Sequence, residues 1–238
     1  GGGPREDQAV VVFTTPEGLC DGPEGTAAIG SVAGVCVDSE GTIYFIDKEY
    51  SAVRTMTRER YVATIAGGRE ICDWQDGPAA TAVFAQPTHL CPAFGGLLIV
   101  DTDNNCLRLL KDEQVVNFCG SGERGCVNGA AALASFAGPV ALALNDDENC
   151  AYVADKANRV VRRIDVNGTA STIAGTGIAG AANGHATVQN CLNEPSGVAY
   201  FDKHLFIADA GNNCIMKINL RTMMCGTLAG CPGTPGVK

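Results

Sequence analysis

The sequence predicts an all-β fold made of four repeated sheets, and three observations lead to this prediction. Short apolar runs recur, and each ends in an aspartate that stands 54 residues after the previous one: Asp47, Asp101, Asp155 and Asp209. Gly, Asp and Asn separate the runs, and no segment keeps a helical period. Gly accounts for 30 of 238 residues, which favours tight turns over long helices.

The residues that flank each aspartate recur as well. The position three residues later holds Tyr50, Asn104, Asn158 and Asn212. The position seven residues later holds Arg54, Arg108, Arg162 and Met216. A closing phrase follows, as "TIAG" at 64–67 and 172–175, "NFCG" at 117–120 and "TLAG" at 227–230. A fixed order of such marks indicates one structural unit used four times.

Each repeat is predicted to form four short strands, a to d. Strand a lies near 34–38, 89–93, 140–144 and 197–200. Strand b ends at the aspartate, strand c follows the asparagine, for example at 106–110, and strand d leads into the closing phrase. Four antiparallel strands in a unit of this length are the signature of a β-propeller blade.

Two stretches carry a family resemblance: "FAQPTHL…LLIVDTDNNCLRLL…VVNFCGSG" and "NEPSGVAYFDKHLFIADAGNNCIMKI…GTLAG". They resemble NHL repeats, and the resemblance covers residues 9 to about 230. It implies a β-propeller whose blades surround a central channel, with strand a innermost and strand d outermost. It also implies rings of about six blades.

The blade count predicts a partial propeller. The chain has four a-b-c sets and an extra outer strand at Ala9–Phe13, and the last blade already has its own strand d at Met224–Gly230. We therefore expect four blades of a larger, about six-bladed ring, with a compact four-bladed ring as the alternative. Residues 1–8 are predicted to be a flexible N-terminal segment, and residues 232–238 a C-terminal tail. Residues 9–231 are predicted to form the propeller, in units of about 9–60, 61–114, 115–168 and 169–230.

Charge and cysteine content indicate which partners and which cellular location the protein has. The net charge of −9 disfavours nucleic acid as a partner, and no apolar run is long enough to span a membrane. Twelve cysteines favour an extracellular or cell-surface protein, with the cytoplasm as the alternative. The sequon at Asn167 is a candidate glycosylation site, but its Asn-Gly pair also suits a hairpin turn, which explains it without a glycan. The opening "GGGP" looks like an excised boundary, so a signal peptide or membrane anchor in a longer protein stays open.

Spacing suggests disulfide candidates. Cys36 and Cys91 occupy equivalent places in strand a, and Cys20 and Cys72 lie in the loops before them. Cys20–Cys36 and Cys72–Cys91 are therefore a plausible parallel pair, and Cys126 has Cys119 as a possible partner. Because connectivity cannot be read from sequence, buried reduced thiols remain an alternative.

The repeated polar residues are predicted to be structural. Each strand-b aspartate is expected to accept backbone N–H bonds from the residues that follow it, in an Asx-turn. The asparagines Asn104, Asn158 and Asn212 are expected to adopt the left-handed conformation or to cap the turn. The arginines of strand c are expected to lie along blade surfaces and to pair with acidic neighbours.

The predicted function is a non-catalytic binding or scaffold module that recognises protein or glycan through its loops. Places where the repeats disagree supply the candidate binding residues: Tyr50, Trp74, His89 and His185. No cofactor or metal is predicted, because the three histidines occupy different places in the repeat. The alternatives are a metal-dependent lyase or hydrolase using His89, Asp101 and Asp155, and an intracellular NHL scaffold.

Overall fold

A computed structural model describes residues 18–68 and 73–234. The predicted N-terminal segment, the extra strand Ala9–Phe13, Cys72 and residues 235–238 lie outside the described residues. The described chain forms four antiparallel sheets of four or five strands, and no helix in it is long and apolar enough to cross a membrane. The prediction of an all-β fold built from four-stranded blades is confirmed.

The four sheets are four successive blades. Blade 1 contains β1 (Gly22–Pro23), β2 (Val32–Val37), β3 (Ile43–Asp47), β4 (Ala52–Met56) and β5 (Tyr61–Gly67). Blade 2 contains β6 (Gly77–Pro78), β7 (Pro87–Ala93), β8 (Gly96–Asp101), β9 (Cys106–Lys111) and β10 (Gln114–Cys119). Blade 3 contains β11 (Pro139–Asn145), β12 (Cys150–Asp155), β13 (Val160–Asp165) and β14 (Ala170–Ala174). Blade 4 contains β15 (Gly184–His185), β16 (Pro195–Phe201), β17 (His204–Asp209), the 3-10 turn Ala210–Asn212, β18 (Cys214–Asn219) and β19 (Met224–Gly230).

Strand order is the same in every blade. Strands a, b, c and d are neighbours in that order, and in blades 1, 2 and 4 a two-residue strand from the preceding loop adds to strand d. Blade 3 has a single bridge, Gly129 to Ala170, in that place. Strand β5 pairs with β4, and blades 1, 2 and 3 each take strand d from the boundary with, or the beginning of, the next predicted unit, whereas blade 4 has its strand d within its own unit. These short outer strands were not predicted.

Turn chemistry fixes the hairpin between strands b and c. The residue four positions after each anchor aspartate has a positive φ: Ser51, Asn105, Arg159 and Asn213. The N–H of each of these residues bonds the carbonyl three residues earlier, for example Asn105 to Thr102 at 3.1 Å. The left-handed residue therefore lies one position after the predicted asparagine.

Apolar cores lie between neighbouring blades. Ile46 and Val53 of blade 1 pack with Phe84 and Leu90 of blade 2, and the same kind of cluster joins blades 2 and 3 and blades 3 and 4. The inner strands follow each other, since β2 packs on β7, β7 on β11 and β11 on β16. Among the described strands, β2 and β16 make no comparable contact, so the four blades form an open arc.

Candidate functional site

A buried network joins the anchor aspartate to an arginine in blades 1, 2 and 3, and blade 2 shows its form. Arg108 Nη1 lies 2.9 Å from Asp101 Oδ2, and Arg108 Nη2 donates to the Gln75 carbonyl at 2.9 Å. Asp101 Oδ1 accepts the N–H of Ala85 at 2.7 Å, and Asn104 donates to Asp101 Oδ2 at 2.8 Å. The network thus ties strands b and c to the loop that precedes strand a.

The same network recurs in blades 1 and 3. Arg54 and Arg162 are also fully buried, and each contacts its anchor aspartate at 3.2 Å. The prediction that these arginines lie along blade surfaces is wrong. Each guanidinium has to bond loop carbonyls inside the blade, and two of them lie over Phe84 and Phe136, at 5.4 and 4.9 Å from the ring centroids.

The anchor aspartates also bond differently from the predicted Asx-turn. Their carboxylates accept N–H bonds from residues that come earlier in the chain, at Gly30, Ala85, Ala137 and Asn193. Asn104, Asn158 and Asn212 donate to these carboxylates and to carbonyls of the preceding loop. Burial raises the pKa of Asp155 to about 6 and outweighs the bonds from Ala137, Asn158 and Arg162. The contacts of these aspartates connect the preceding loop to the blade.

Blade 4 lacks the arginine. Met216, which is fully buried, stands in its place, and Asp209 keeps only the bonds from Asn193 and Asn212. Burial raises the pKa of Asp209 against those bonds. Asn183 of the loop bonds Thr227 Oγ1 instead of an arginine. Blade 4 therefore holds a buried carboxyl with no cation among the described residues.

Tyr50 replaces the asparagine in blade 1, but the backbone of the turn is the same as in the other blades, with Ser51 in the left-handed conformation. The Tyr50 hydroxyl lies beside Gly18, and no side-chain donor at this position reaches Asp47. Within the described chain, Asp47 Oδ1 is buried without a hydrogen-bond partner. Tyr50 thus marks a local departure from the repeat.

Trp74 packs within blade 2. Its ring lies 5.8 Å from the Arg108 guanidinium, against Gly122 of the following loop, and is partly exposed.

The candidate binding residues do not meet in one site. Tyr50 lies in a b–c turn of blade 1, Trp74 in a loop of blade 2, His89 in β7 and His185 in β15. Burial lowers the pKa of His89, whose Nδ1 is buried without a partner among the described residues. The same residues hold no group of three or more metal-ligating side chains.

All cysteines in the described segments are free thiols, including Cys20, Cys36, Cys91, Cys119 and Cys126. The predicted Cys20–Cys36 bond is therefore not formed in this structure, and Cys72–Cys91 falls outside the described residues. The Cys20 carbonyl is held by Arg54, whereas Cys36 lies opposite Tyr44 on the inner pair of strands. Burial, followed by the nearby Cys36, raises the pKa of Cys91 to about 12.

The sequon lies in the turn between β13 and β14. Asn167 is exposed, and Asp165 Oδ1 accepts the N–H groups of Asn167 and Thr169 at 2.9 Å each. The turn explains the Asn-Gly pair, and glycosylation stays a prediction.

A cavity of about 570 Å³ lies where turns of blades 1, 2 and 3 come together. We call it the turn cavity. Its apolar walls come from three blades, and its rim is polar and mainly acidic. The walls are Tyr44, Ile65, Pro92, Ala93, Phe94, Leu97, Leu110 and Leu144, and the rim is Asp38, Lys111, Asp112, Asp146 and Asn149. No single repeat contains it, so periodicity could not reveal it.

The rim of the turn cavity carries fixed negative charge. Desolvation opposes ionisation of Asp38, but bonds from Thr42, Tyr44 and Glu40 hold its pKa below the ordinary value. Asp112 and Asp146 are exposed beside it, and Lys111 is the only cation of the lining. A smaller cavity of about 390 Å³, lined by Arg124, Lys156, Arg159 and Glu194, is mainly basic. The turn cavity therefore suits a ligand with apolar and cationic groups.

The sheets and their repeated network define a β-propeller repeat protein. No protein-family model matches the sequence. The chain is 30% identical to chicken (Gallus gallus) NHL repeat-containing protein 2 over 164 residues, 62% of this chain and 22% of that protein. It is 33% identical to the Arabidopsis thaliana protein SUPPRESSOR OF QUENCHING 1, chloroplastic, over 53% of this chain and 14% of that protein. The resemblance to NHL-repeat proteins is confirmed, and the chain spans about a fifth or less of these relatives.

Solved structures agree on the fold. A Bacteroides thetaiotaomicron protein of unknown function superposes with a TM-score of 0.65 at 22% identity, over 79% of this chain and 47% of that chain. An auxiliary nutrient binding protein from the same organism gives 0.61 at 16% identity, over 86% and 49%. A streptogramin B lyase gives 0.56 at 12% identity, over 83% and 54%. The arc therefore fits about half of each of these chains.

Proposed function

We propose that this chain is a non-catalytic binding module, and that the turn cavity receives an apolar side chain flanked by Lys or Arg from a protein partner. The cavity itself is the observation that carries the proposal, since turns of three blades enclose apolar walls under an acidic rim. The NHL-repeat relatives and the propeller fold support a binding or scaffold role.

The repeated polar residues support a binding role over catalysis. Asp101 and Asp155, named for a hydrolytic alternative, are fully buried and bonded to Arg108 and Arg162. His89 lies on the inner strand β7 and forms no group with them. These carboxylates hold each loop onto its own blade, so they are not offered to a substrate.

The acidic rim of the turn cavity indicates that the partner segment carries positive charge. Three carboxylates and one ammonium line the turn cavity, and the chain has a net charge of −9. A cationic segment is attracted to such a rim, and burial of an apolar side chain against the apolar walls is favourable because it removes apolar surface from water. Binding should therefore weaken as salt is added, because the rim is exposed.

Peptide display against the purified chain tests this proposal. Random peptides selected on the wild type should carry Lys or Arg beside a large apolar residue. The double variant D112N/D146N should bind them about tenfold or more weakly, since two rim charges are lost. The control D103N/D202N changes two exposed aspartates outside the cavity and should bind like the wild type. Selection of acidic peptides, or equal binding by both variants, would refute the proposal.

An extracellular or cell-surface setting is part of the same proposal. The twelve cysteines and the exposed Asn167 support this location. A glycan partner is supported only by the proposed extracellular location itself. Mass spectrometry of protein isolated from its natural source, without reduction, decides this point. Disulfides or a glycan on Asn167 would support secretion, and twelve unmodified thiols would contradict it.

A further inference from the structure

The basic cavity of about 390 Å³ is a local reversal of the charge of this chain. Three cations line it, Arg124, Lys156 and Arg159, with Glu194 as the one carboxylate of the lining. The whole chain has 17 basic against 26 acidic residues. The basic cavity lies at the b–c turns, whereas the turn cavity lies at the a–b and c–d turns, so the two cavities open at opposite ends of the strands.

The repeat does not account for Arg159. This residue holds the left-handed position of the b–c turn in blade 3, with a φ of +56°. The same position holds a small polar residue in the other blades: Ser51, Asn105 and Asn213. Asparagine adopts the left-handed conformation more readily than arginine, so formation of the turn does not explain the choice of a cation here.

The two arginines of the basic cavity lack partners for their charge. Neither guanidinium makes a hydrogen bond or an ion pair with any residue that the structure describes, although Arg159 is half-buried and its Nε is shielded from water. Lys156 Nζ does have a partner, Glu194, at 3.3 Å. Three cations and one carboxylate leave the lining with two positive charges. A shielded donor without an acceptor is costly, and an anion in the cavity would supply the acceptor.

The walls of the basic cavity are held in place by contacts that involve no ligand. Gly138 of blade 3 donates its N–H to Asn105 Oδ1 of blade 2 at 2.9 Å. Asn158 donates to the Gly125 carbonyl at 2.6 Å and so holds the loop that carries Arg124. A Cβ at Gly138 would meet no atom within 4 Å, so the space beside this glycine is open. A preformed cavity of this kind binds a ligand with little cost in ordering.

We propose that the basic cavity binds a small organic phosphate monoester, whose phosphate group is held by Arg124, Arg159 and Lys156. A guanidinium bonds two oxygens of a phosphate at once, and a phosphate monoester carries a charge of about −1.5 to −2 at pH 7, which matches the two positive charges of the lining. Val140 and Ala157 offer apolar contact to the organic part. The volume lies near the lower end of the roughly 300–1,000 Å³ of small-molecule sites, so the ligand is small. The site is separate from the turn cavity and does not depend on the protein partner proposed there.

Titration of the full 238-residue chain with phenyl phosphate, followed by NMR of the backbone amides, tests this proposal. Saturable shifts are expected at Gly138, Val140 and Ala157, with little change at segment 92–97 of the turn cavity. Arg159→Asn places in blade 3 the residue that two other blades use, so it should fold like the wild type. It should bind phenyl phosphate about tenfold or more weakly, since charge-assisted bonds are lost.

A matched control separates a site from general attraction of anions. Arg221→Asn makes the same change of charge and residue type at an exposed position outside the basic cavity, and it should bind like the wild type. Glu194→Gln should tighten binding severalfold, because it frees Lys156 from its carboxylate. Should Arg159→Asn fail to fold by circular dichroism, Arg124→Ala tests the same cavity.

Two further anions decide the chemical class of the ligand. Inorganic phosphate should shift the same amides with lower affinity, since it lacks the organic part. Succinate, a dianion whose charges stand apart, should bind more weakly than phenyl phosphate. Succinate that binds as tightly as phenyl phosphate would overturn the phosphate assignment. Equal losses from Arg159→Asn and Arg221→Asn, or no saturable shifts at the basic cavity, would overturn the site itself.

Discussion

Arg162 Nη1 lies 3.2 Å from Asp155 Oδ2, with both side chains fully buried at the junction of strands b and c with the preceding loop. The guanidinium also bonds the carbonyls of Ser135 and Val127, at 2.8 and 2.7 Å. One side chain therefore holds the loop onto its blade, and equivalent contacts occur in blades 1 and 2.

Arg162→Met should destabilise the chain strongly, because it leaves a buried carboxylate without its cation and two carbonyls without their donor. We expect a loss of about 3–5 kcal/mol in urea unfolding. Adding Asp155→Asn should recover part of this loss, since the uncompensated charge is then removed. Arg60→Met, at an exposed pair with Glu24, should have little effect. Equal losses from Arg162→Met and Arg60→Met would contradict the network.

Asp209 should make stability depend on pH in a defined direction. Burial raises the pKa of Asp209 in the folded state. The stability that the protonated carboxyl contributes is therefore fully present below the unfolded-state pKa of about 4, and it is lost as the pH rises through the folded-state pKa. Asp209→Asn removes this titration. Its stability relative to the wild type should rise between pH 4 and 7 in urea unfolding. Asp209→Ala should show the same slope with a constant offset, and a slope of opposite sign would refute the raised pKa.

Gly122→Ala should disturb Trp74, and Gly25→Ala supplies a matched control. The two glycines have φ of +83° and +82°, so both substitutions carry the strain of a left-handed residue, about 1–2 kcal/mol. A Cβ at Gly122 meets the Trp74 ring, whereas none of the surrounding atoms lies within 4 Å at Gly25. We expect a larger loss of stability and a shifted tryptophan emission for Gly122→Ala alone. Identical emission spectra would show that Trp74 does not pack there.

Thiol labelling of the reduced native protein should follow burial. Cys20, Cys126 and Cys231 are exposed and should react first with iodoacetamide at pH 8. Cys119 and Cys225 are buried, and desolvation raises the pKa of each to about 12, so both stay protonated and should react only after unfolding. Peptide mapping reads the order directly. Early labelling of Cys119 or Cys225 would place them outside the inter-blade cores.

The repeat allowed much of the fold to be predicted from sequence. Asp47, Asp101, Asp155 and Asp209 each end a strand b as expected, because alternating apolar runs and turn residues act locally. The burial of Arg54, Arg108 and Arg162 was missed, since a lone arginine in a strand is usually exposed and the loop carbonyls that it bonds lie 25 to 35 residues away. The arginines recur at a fixed spacing of seven residues after an aspartate, and this pattern was the signal in the sequence that could have revealed their burial.

The turn cavity was missed for a different reason. Its residues come from hairpin turns of three blades, and nothing in a single repeat marks them as neighbours. Tyr50, Trp74, His89 and His185 were selected because they break the repeat, but such departures reflect local packing at Trp74 and at Tyr50. Sites between repeats depend on how blades stack, which sequence periodicity does not report.

Hydrogen exchange of the complex with a display-selected peptide tests the binding proposal most directly. We expect added protection in segments 92–97, 110–112 and 144–149, which line the turn cavity, and little change at the basic cavity near Arg124 and Arg159. Protection confined to the basic cavity, or spread evenly over the four blades, would contradict the turn cavity as the binding site.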